Sequence, residues 1–395
     1  MKEFSPVQLN GVKLKFQETA EHVGIIRATT GNLPNILQRI SSHKNALRAV
    51  LQNGLARHHR GNPAACLRVE QIYGTPVLLS GLGPLFLKKP EQNVINHHHL
   101  ETLQNLLRLL PNTPHPVTYF LAGSLPGEAL IHLRQLGLLG MISRLEGSLL
   151  HRQALSVYST KCASWSWFHQ VRDVCLKYQL PHPLTFLTNP PTKEVFKKLV
   201  KKQVINFWEL KLRGDAEPLL SLSYFKPEFM SLVKPHPLLV TAGASPYEVA
   251  KARVQALLLS GRYRTELLCR HWSSNSEGFC LLPSCLGLGV KEDLEHILLK
   301  CGSLAGTRER LCCFTSKHAM SLPHLCSTLL TLTRPDHPMF CQFLLDCSVI
   351  PDVISLVQAL GEDVLHHLFK VSRTWCYSLH RDRLKMLGRW NPTKY

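Results

Sequence analysis

Near the start of the chain Val12, Leu14 and Phe16 alternate with Lys13 and Lys15, the two-residue period of a half-buried strand. Val23, Ile25 and Ile26 carry on that β-branched character, so residues 1–30 read as short extended segments. From Asn32 the period changes. Ile36, Ile40, Leu47 and Leu51 recur at helical spacing with Arg39, Lys44 and Arg48 between them. Pro34 fits a first helical turn, and Asn53-Gly54 is a stop signal. A second helix is expected over Pro63–Tyr73, closed by Gly74-Thr75-Pro76, with further helical runs at about 91–110 and 126–146. Pro-rich breaks at 111–116, 181–191 and 235–237 read as loops. The clearest amphipathic helix is Thr192–Arg213, with Phe196, Leu199, Val200, Val204 and Phe207 on one face and Lys197, Lys198, Lys201 and Lys202 on the other. A last helix over Val353–Leu387 ends in the basic cluster Arg381, Arg383, Lys385 and Arg389. The pattern predicts a mainly α fold with a few short strands at the start and a hairpin near the cysteines around 280.

Composition narrows the function classes. With 395 residues the chain is long enough for two or three domains, and at 45% hydrophobic it can bury a core. Lys and Arg number 46 against 27 Asp and Glu, a formal charge of +19, which favours polyanionic partners. The opening MKEFSPVQLNGVKLKF has no apolar stretch of signal-peptide type. The longest near-apolar run, Thr75–Leu87, is broken by prolines and glycines and falls short of the ~20 residues of a membrane span. The 13 scattered cysteines fit a reducing compartment. An intracellular protein, nuclear or cytoplasmic, is expected, with no membrane and no small-molecule substrate.

The most specific chemistry is the spacing Cys280-x4-Cys285-x10-His296-x4-Cys301. Three thiolates and one imidazole are the ligand set of a closed, structural zinc site. Cys280 and Cys285 bracket a turn at Pro283. Asp293 is placed to cap a short helix carrying His296, and that helix must end or bend before Cys301 for both to face one metal. Cys269 and His271 lie near enough in sequence to replace one ligand. The competing reading is a set of buried free cysteines. His97-His98-His99 cannot converge on one ion from a helix, because neighbours point about 100° apart, so they read as a solvated face. Trp165, Trp167 and Phe168 could stack on bases; core packing is the preferred reading.

The stretch Arg262–Trp272, followed by the cysteine pair and Glu292-Asp-Leu-Glu-His-Ile-Leu-Leu-Lys-Cys301, resembles the C-terminal zinc-knuckle region of non-LTR (LINE-like) retrotransposon reverse transcriptases. Ala20–Arg27 resembles the segment where the palm of those enzymes leads into the thumb. Asn45–Leu51, Gly61–Ala65 and Leu67–Leu82 resemble their thumb and connector. One departure is the four residues between Cys280 and Cys285, wider than the two of many knuckles.

The resemblance implies palm-end strands at 1–30, thumb-like helices at 31–115, a helical connector at 116–260 containing the basic helix 192–213, a zinc-knuckle region at 261–320 and a helical segment at 321–395. It also implies what is missing. The family's polymerase needs paired aspartates that hold two metal ions. Here the first aspartate is Asp173 and no Asp-Asp pair occurs, and no endonuclease-like region is expected to precede residue 1. The zincin, nucleophile-elbow and Walker motifs are absent too. The expectation is a non-catalytic fragment that binds RNA or DNA through phosphates. Lys197, Lys198, Lys201, Lys202, Arg262, Arg264 and Arg270 are its candidate contacts, and one structural zinc sits on Cys280, Cys285, His296 and Cys301. The rival expectation is a zinc-stabilised helical scaffold for protein partners.

Overall fold

The computed structural model describes residues 8–9, 12–13, 18–22, 25–29, 31–50, 61–160, 163–271 and 276–391. Leu14, Lys15, Phe16, Val23, Leu51, Asn53, Gly54 and Trp272 lie outside the described residues. Among those described, four short strands come first: β1 (Gln8–Leu9), β2 (Val12–Lys13), β3 (Thr19–His22) and β4 (Ile25–Ala28). They form two antiparallel pairs, β1 with β2 and β3 with β4, the second in register Thr19↔Ala28 to His22↔Ile25.

Helices make up most of the rest. In order they are α1 (Leu33–Val50), α2 (Pro63–Val69), α3 (Thr75–Leu78), α4 (Lys89–Leu107), α5 (His115–Ala122), α6 (Gly127–Ser143), α7 (Leu149–Ser159), α8 (Trp167–Lys177) and α9 (Pro183–Thr188). After them come α10 (Lys193–Ala216), α11 (Pro237–Val240), α12 (Pro246–Leu259), α13 (Glu266–Cys269), α14 (Ala305–Met320), α15 (Pro323–Leu332), α16 (Phe340–Leu345), α17 (Pro351–Leu360) and α18 (Asp363–Met386). The chain is mainly α with a few short strands, as its hydrophobic periods predict. It divides into two compact units, Met1–Ala49 with Glu70–His99 and Pro126–Phe207, and Val50–Val69 with Leu100–Leu125 and Trp208–Tyr395.

The first unit is centred on Ile36, Leu78, Leu79, Leu82, Leu87, Ile95 and Ile131. Two expectations fail here for one reason. Gly74-Thr75-Pro76 does not stop the helix. Glu70–Gly74 forms a π turn that leads into α3, and Pro76 then falls in the first turn of α3, where its missing N–H costs nothing. Gly74 is needed for close approach: a Cβ there would sit 1.9 Å from Glu70 Oε2 and 2.9 Å from His43 Nε2. Nor are the three histidines a solvated face, since His98 and His99 are buried. His98 Nε2 is 2.9 Å from His43 Nδ1, and His43 Nε2 is 2.9 Å from Glu70 Oε2, so a buried carboxylate–imidazole–imidazole chain ties α1, the π turn and α4 together. Burial holds both His98 and His99 down at about 4.

In the same unit α6 packs on α7, α8 and α9. Phe196 at the start of α10 sits edge-on to Phe186, with ring centroids 5.1 Å apart, and fills the space that Gly140 leaves open. Trp165 departs from the preferred reading because its side chain is exposed. Trp167 donates its indole N–H to the Gly83 carbonyl at 2.7 Å, and Phe168 packs on Trp167 and Tyr158.

The second unit is organised around α18, which packs against α12, α14, α16 and α17. Trp375 is wholly buried at its centre and donates its indole N–H to Thr315 Oγ1 at 2.9 Å. The single helix expected over Val353–Leu387 is two. Gly361, at φ +90°, breaks it between α17 and α18 in a conformation that side chains with a Cβ rarely adopt.

Candidate metal centre

Four ligands named from their spacing meet at one point. Atoms of Cys280, Cys285, His296 and Cys301 all lie within 4.8 Å of one another, and all four residues are buried. Cys285 Sγ is 3.7 Å from Cys301 Sγ and 3.6 Å from His296 Nε2, and Cys280 Sγ is 4.0 Å from Cys301 Sγ. A disulfide would bring two sulfurs to about 2.05 Å, and none is formed. Bonds of about 2.3 Å from a tetrahedral metal to two sulfurs place those sulfurs about 3.8 Å apart. The cluster therefore has room for one metal ion at its centre.

Local backbone explains how each ligand arrives. Cys280 donates its N–H to the Val290 carbonyl at 2.8 Å, and Glu292 donates to Gly278 at 3.0 Å. These bonds and the Phe279↔Lys291 bridge form the short hairpin expected near residue 280. Cys285 lies at the end of a tight turn, its N–H bonded to Leu282 O at 2.9 Å. Asp293 Oδ1 accepts the His296 N–H at 2.7 Å, so the expected cap is present. The bend required before Cys301 is a π turn over His296–Lys300. It is closed by a bond from the Cys301 N–H to the His296 carbonyl at 2.7 Å, and the wider turn lets residues five apart face one point. Cys269 and His271 do not join the cluster.

Electrostatics within the cluster call for a cation. Burial, and then the neighbouring thiols and Glu292, push the Cys280 thiol far above its ordinary value, although the Leu282 N–H works the other way. Burial also raises Cys301. For Cys285 burial is outweighed by hydrogen bonds from the Ser284 hydroxyl, the two other thiols and the Gly302 N–H, and its pKa falls. Burial lowers His296, keeping a neutral ring with a lone pair to offer. Three thiols this close cannot all ionise unaided, and a divalent metal removes that obstacle.

Supports around the cluster were not legible in the sequence. Ser284 donates its N–H to Ser303 Oγ at 2.9 Å, fastening the Cys285 turn to the Cys301 turn. Arg308 donates to the Cys301 carbonyl. Glu292 accepts both the Glu266 N–H and a two-pronged guanidinium contact from Arg383, a residue 91 positions away.

The candidate phosphate contacts fall into separate groups. Lys197, Lys198, Lys201 and Lys202 are exposed on α10, while Phe196, Val200, Val204 and Trp208 are buried on its other face, with Leu199 and Phe207 half-buried. Full burial of Phe196, Val200 and Val204 contributes roughly 1.5–3 kcal/mol each, which fixes the lysines outward. Arg264 and Arg270 are exposed and Arg262 is half-buried. Three of the four residues of the C-terminal basic cluster are paired with carboxylates, and Lys385 is exposed. Arg383 is spent on Glu292, Arg389 contacts Glu266 at 3.0 Å, and Arg381 contacts Asp382 at 2.9 Å. Among the described residues no helix is long and apolar enough to cross a membrane. No family model, no curated protein and no solved structure matches this chain.

Proposed function

We propose that this chain binds nucleic acid through phosphates, as a thumb–connector–knuckle fragment of non-LTR reverse-transcriptase type without the polymerase aspartates, and that a zinc ion on Cys280, Cys285, His296 and Cys301 stabilises it. The observation that carries the reading is the convergence of those four ligands at tetrahedral distances, inside the segment that carries the resemblance. Soft thiolates with one imidazole and no open position suit structural zinc and leave no place for a metal-bound water. The formal charge of +19 and the outward lysine face of α10 supply the attraction to a polyanion.

A second reading has its own observation. Leu286 and Leu288 are exposed on the turn between Cys285 and His296, as a partner-binding knuckle would hold them. Fluorescence anisotropy of a labelled RNA hairpin and a DNA duplex at low salt separates the two. Binding of either supports the nucleic-acid reading. Binding of neither, with zinc bound and the fold intact, supports a protein scaffold.

A further inference from the structure

Arg262 and Arg264 flank Tyr263 in a short irregular segment, bent at Tyr263, that runs into α13. Tyr263 is buried; its hydroxyl lies 2.9 Å from His380 Nδ1, and the Arg383 guanidinium lies over its ring. On either side of the buried Tyr263 its two arginine neighbours reach one common space. There they line a cleft of about 320 Å³ whose other wall is Leu110, Pro111 and Asn112.

Three features make this cleft selective for an oxyanion. Among the described residues no carboxylate lines it. Arg262 Nε has no hydrogen-bond partner among the described residues, an unmet donor on a guanidinium that lines the cleft. The loop of the other wall carries a further cation two residues before Leu110: Arg108, which repels Arg253, and burial together with that repulsion brings Arg253 down to about 10. Arg108 is also one of two non-glycine residues at positive φ among those described, at 54°, so this loop is held in a conformation that costs energy.

We propose that this cleft seats one phosphodiester of a nucleic-acid backbone, gripped by the guanidinium groups of Arg262 and Arg264 with the Asn112 amide as a further donor. The proposal rests on the nucleic-acid reading above and gives it a defined anchoring point apart from the lysine face of α10. A guanidinium fork matches two oxygens of a phosphate and holds its charge at every accessible pH. An acidic peptide offers carboxylates to the same fork. The large positive surplus of the chain and the outward lysine row favour the regularly charged backbone.

The test uses the full zinc-loaded chain with a generic DNA duplex and an RNA hairpin. The variants are Arg264→Gln, Arg262→Gln with Arg264→Gln, and Arg262→Lys with Arg264→Lys, each checked for zinc content and helicity. The double Gln variant should bind about tenfold more weakly at moderate salt, and its salt slope should shrink by about one. The double Lys variant should keep the slope and lose part of the affinity, because an ammonium lacks the fork. If the double Gln variant fails to fold, Arg264→Gln, whose side chain is exposed, carries the test. A parent that binds nucleic acid and a double Gln variant with unchanged affinity and slope would overturn the cleft and leave the nucleic-acid reading standing. A parent that ignores nucleic acid but is thermally stabilised by inorganic phosphate, through Arg264, would overturn both in favour of a small oxyanion. Equal, Arg264-dependent binding of poly-glutamate would overturn the phosphodiester assignment.

Discussion

Arg383 on α18 reaches Glu292, beside the metal cluster, with two parallel contacts: Nη2 to Oε2 at 2.6 Å and Nε to Oε1 at 3.0 Å, both side chains being buried. Burial works against the guanidinium charge, and the hydrogen bonds to Glu292 with the contribution of Tyr263 outweigh it, so Arg383 stays protonated. The pair binds the C-terminal helix to the hairpin that presents Cys280. Removing one partner leaves the other charge buried and uncompensated, so Glu292→Gln and Arg383→Met should each destabilise the protein by about 3–5 kcal/mol. A double Glu292→Gln, Arg383→Met variant should recover part of that loss. Urea unfolding of the three variants measures it, and single variants within about 0.5 kcal/mol of the parent would show that the pair is not structural.

Metal content follows from the cluster. The purified chain should carry one zinc per molecule, and Cys280→Ser or Cys301→Ser should lose it together with much of the ordering of residues 278–301. Metal analysis and thiol titration with and without chelator check this. A metal-free, fully folded chain with all four ligands unprotected would remove the zinc assignment.

Buried histidines set the response to acid. His98 and His99 hold their neutral form down to about 4 and His132 to about 3, in each case chiefly through burial, whereas an unfolded ring takes its proton near 6.5. Above pH 6.5 neither state is protonated and these rings add no pH dependence. Between about 6.5 and 4 the unfolded chain binds more protons, so stability falls as pH falls. Glu128 gives a second stage. Burial opposes its charge, but Lys177 and Lys89 outweigh that and lower it to about 2, so its contribution disappears between about 4.5 and 2. Denaturant unfolding at several pH values should show the first slope, and His99→Leu should reduce it by about one proton, roughly 1.4 kcal/mol per pH unit. An unchanged slope in that variant would contradict the burial argument.

The sequence was most readable where partners are close along the chain. The ligands from Cys280 to Cys301 span 22 positions, their turn residues lie between them, and Asp293 caps where its spacing from His296 says it should. The buried and outward faces of α10 follow directly from helical period. What escaped depends on distant partners. Nothing near His43 indicates that Glu70 and His98, 27 and 55 positions on, will pair with it, and without that chain the histidine run reads as polar surface. Gly74 reads as a stop by local rules but serves to admit the Glu70 carboxylate. Arg383 reads as part of a basic patch until Glu292 is placed beside it.

The lysine face of α10 gives a prediction that leaves the fold untouched. Lysines on adjacent turns can reach successive phosphates, and each true contact contributes close to one unit of salt slope. Replacing Lys197, Lys198, Lys201 and Lys202 with Gln should weaken RNA and DNA binding, flatten the salt dependence and leave thermal stability within about 0.5 kcal/mol of the parent. Unchanged affinity at low salt would assign this face to solvent alone.

A salt titration of nucleic-acid binding by the unmodified, zinc-loaded chain tests the central claim most directly. Phosphate contacts release counterions, so log affinity should fall linearly with log salt, with a slope of about −0.9 per duplex phosphate neutralised, and should be similar for unrelated sequences. A slope of several units on both RNA and DNA is the result expected here. Absence of binding at low salt, or an affinity indifferent to salt, would contradict it and turn attention to a protein partner for the exposed Leu286 and Leu288.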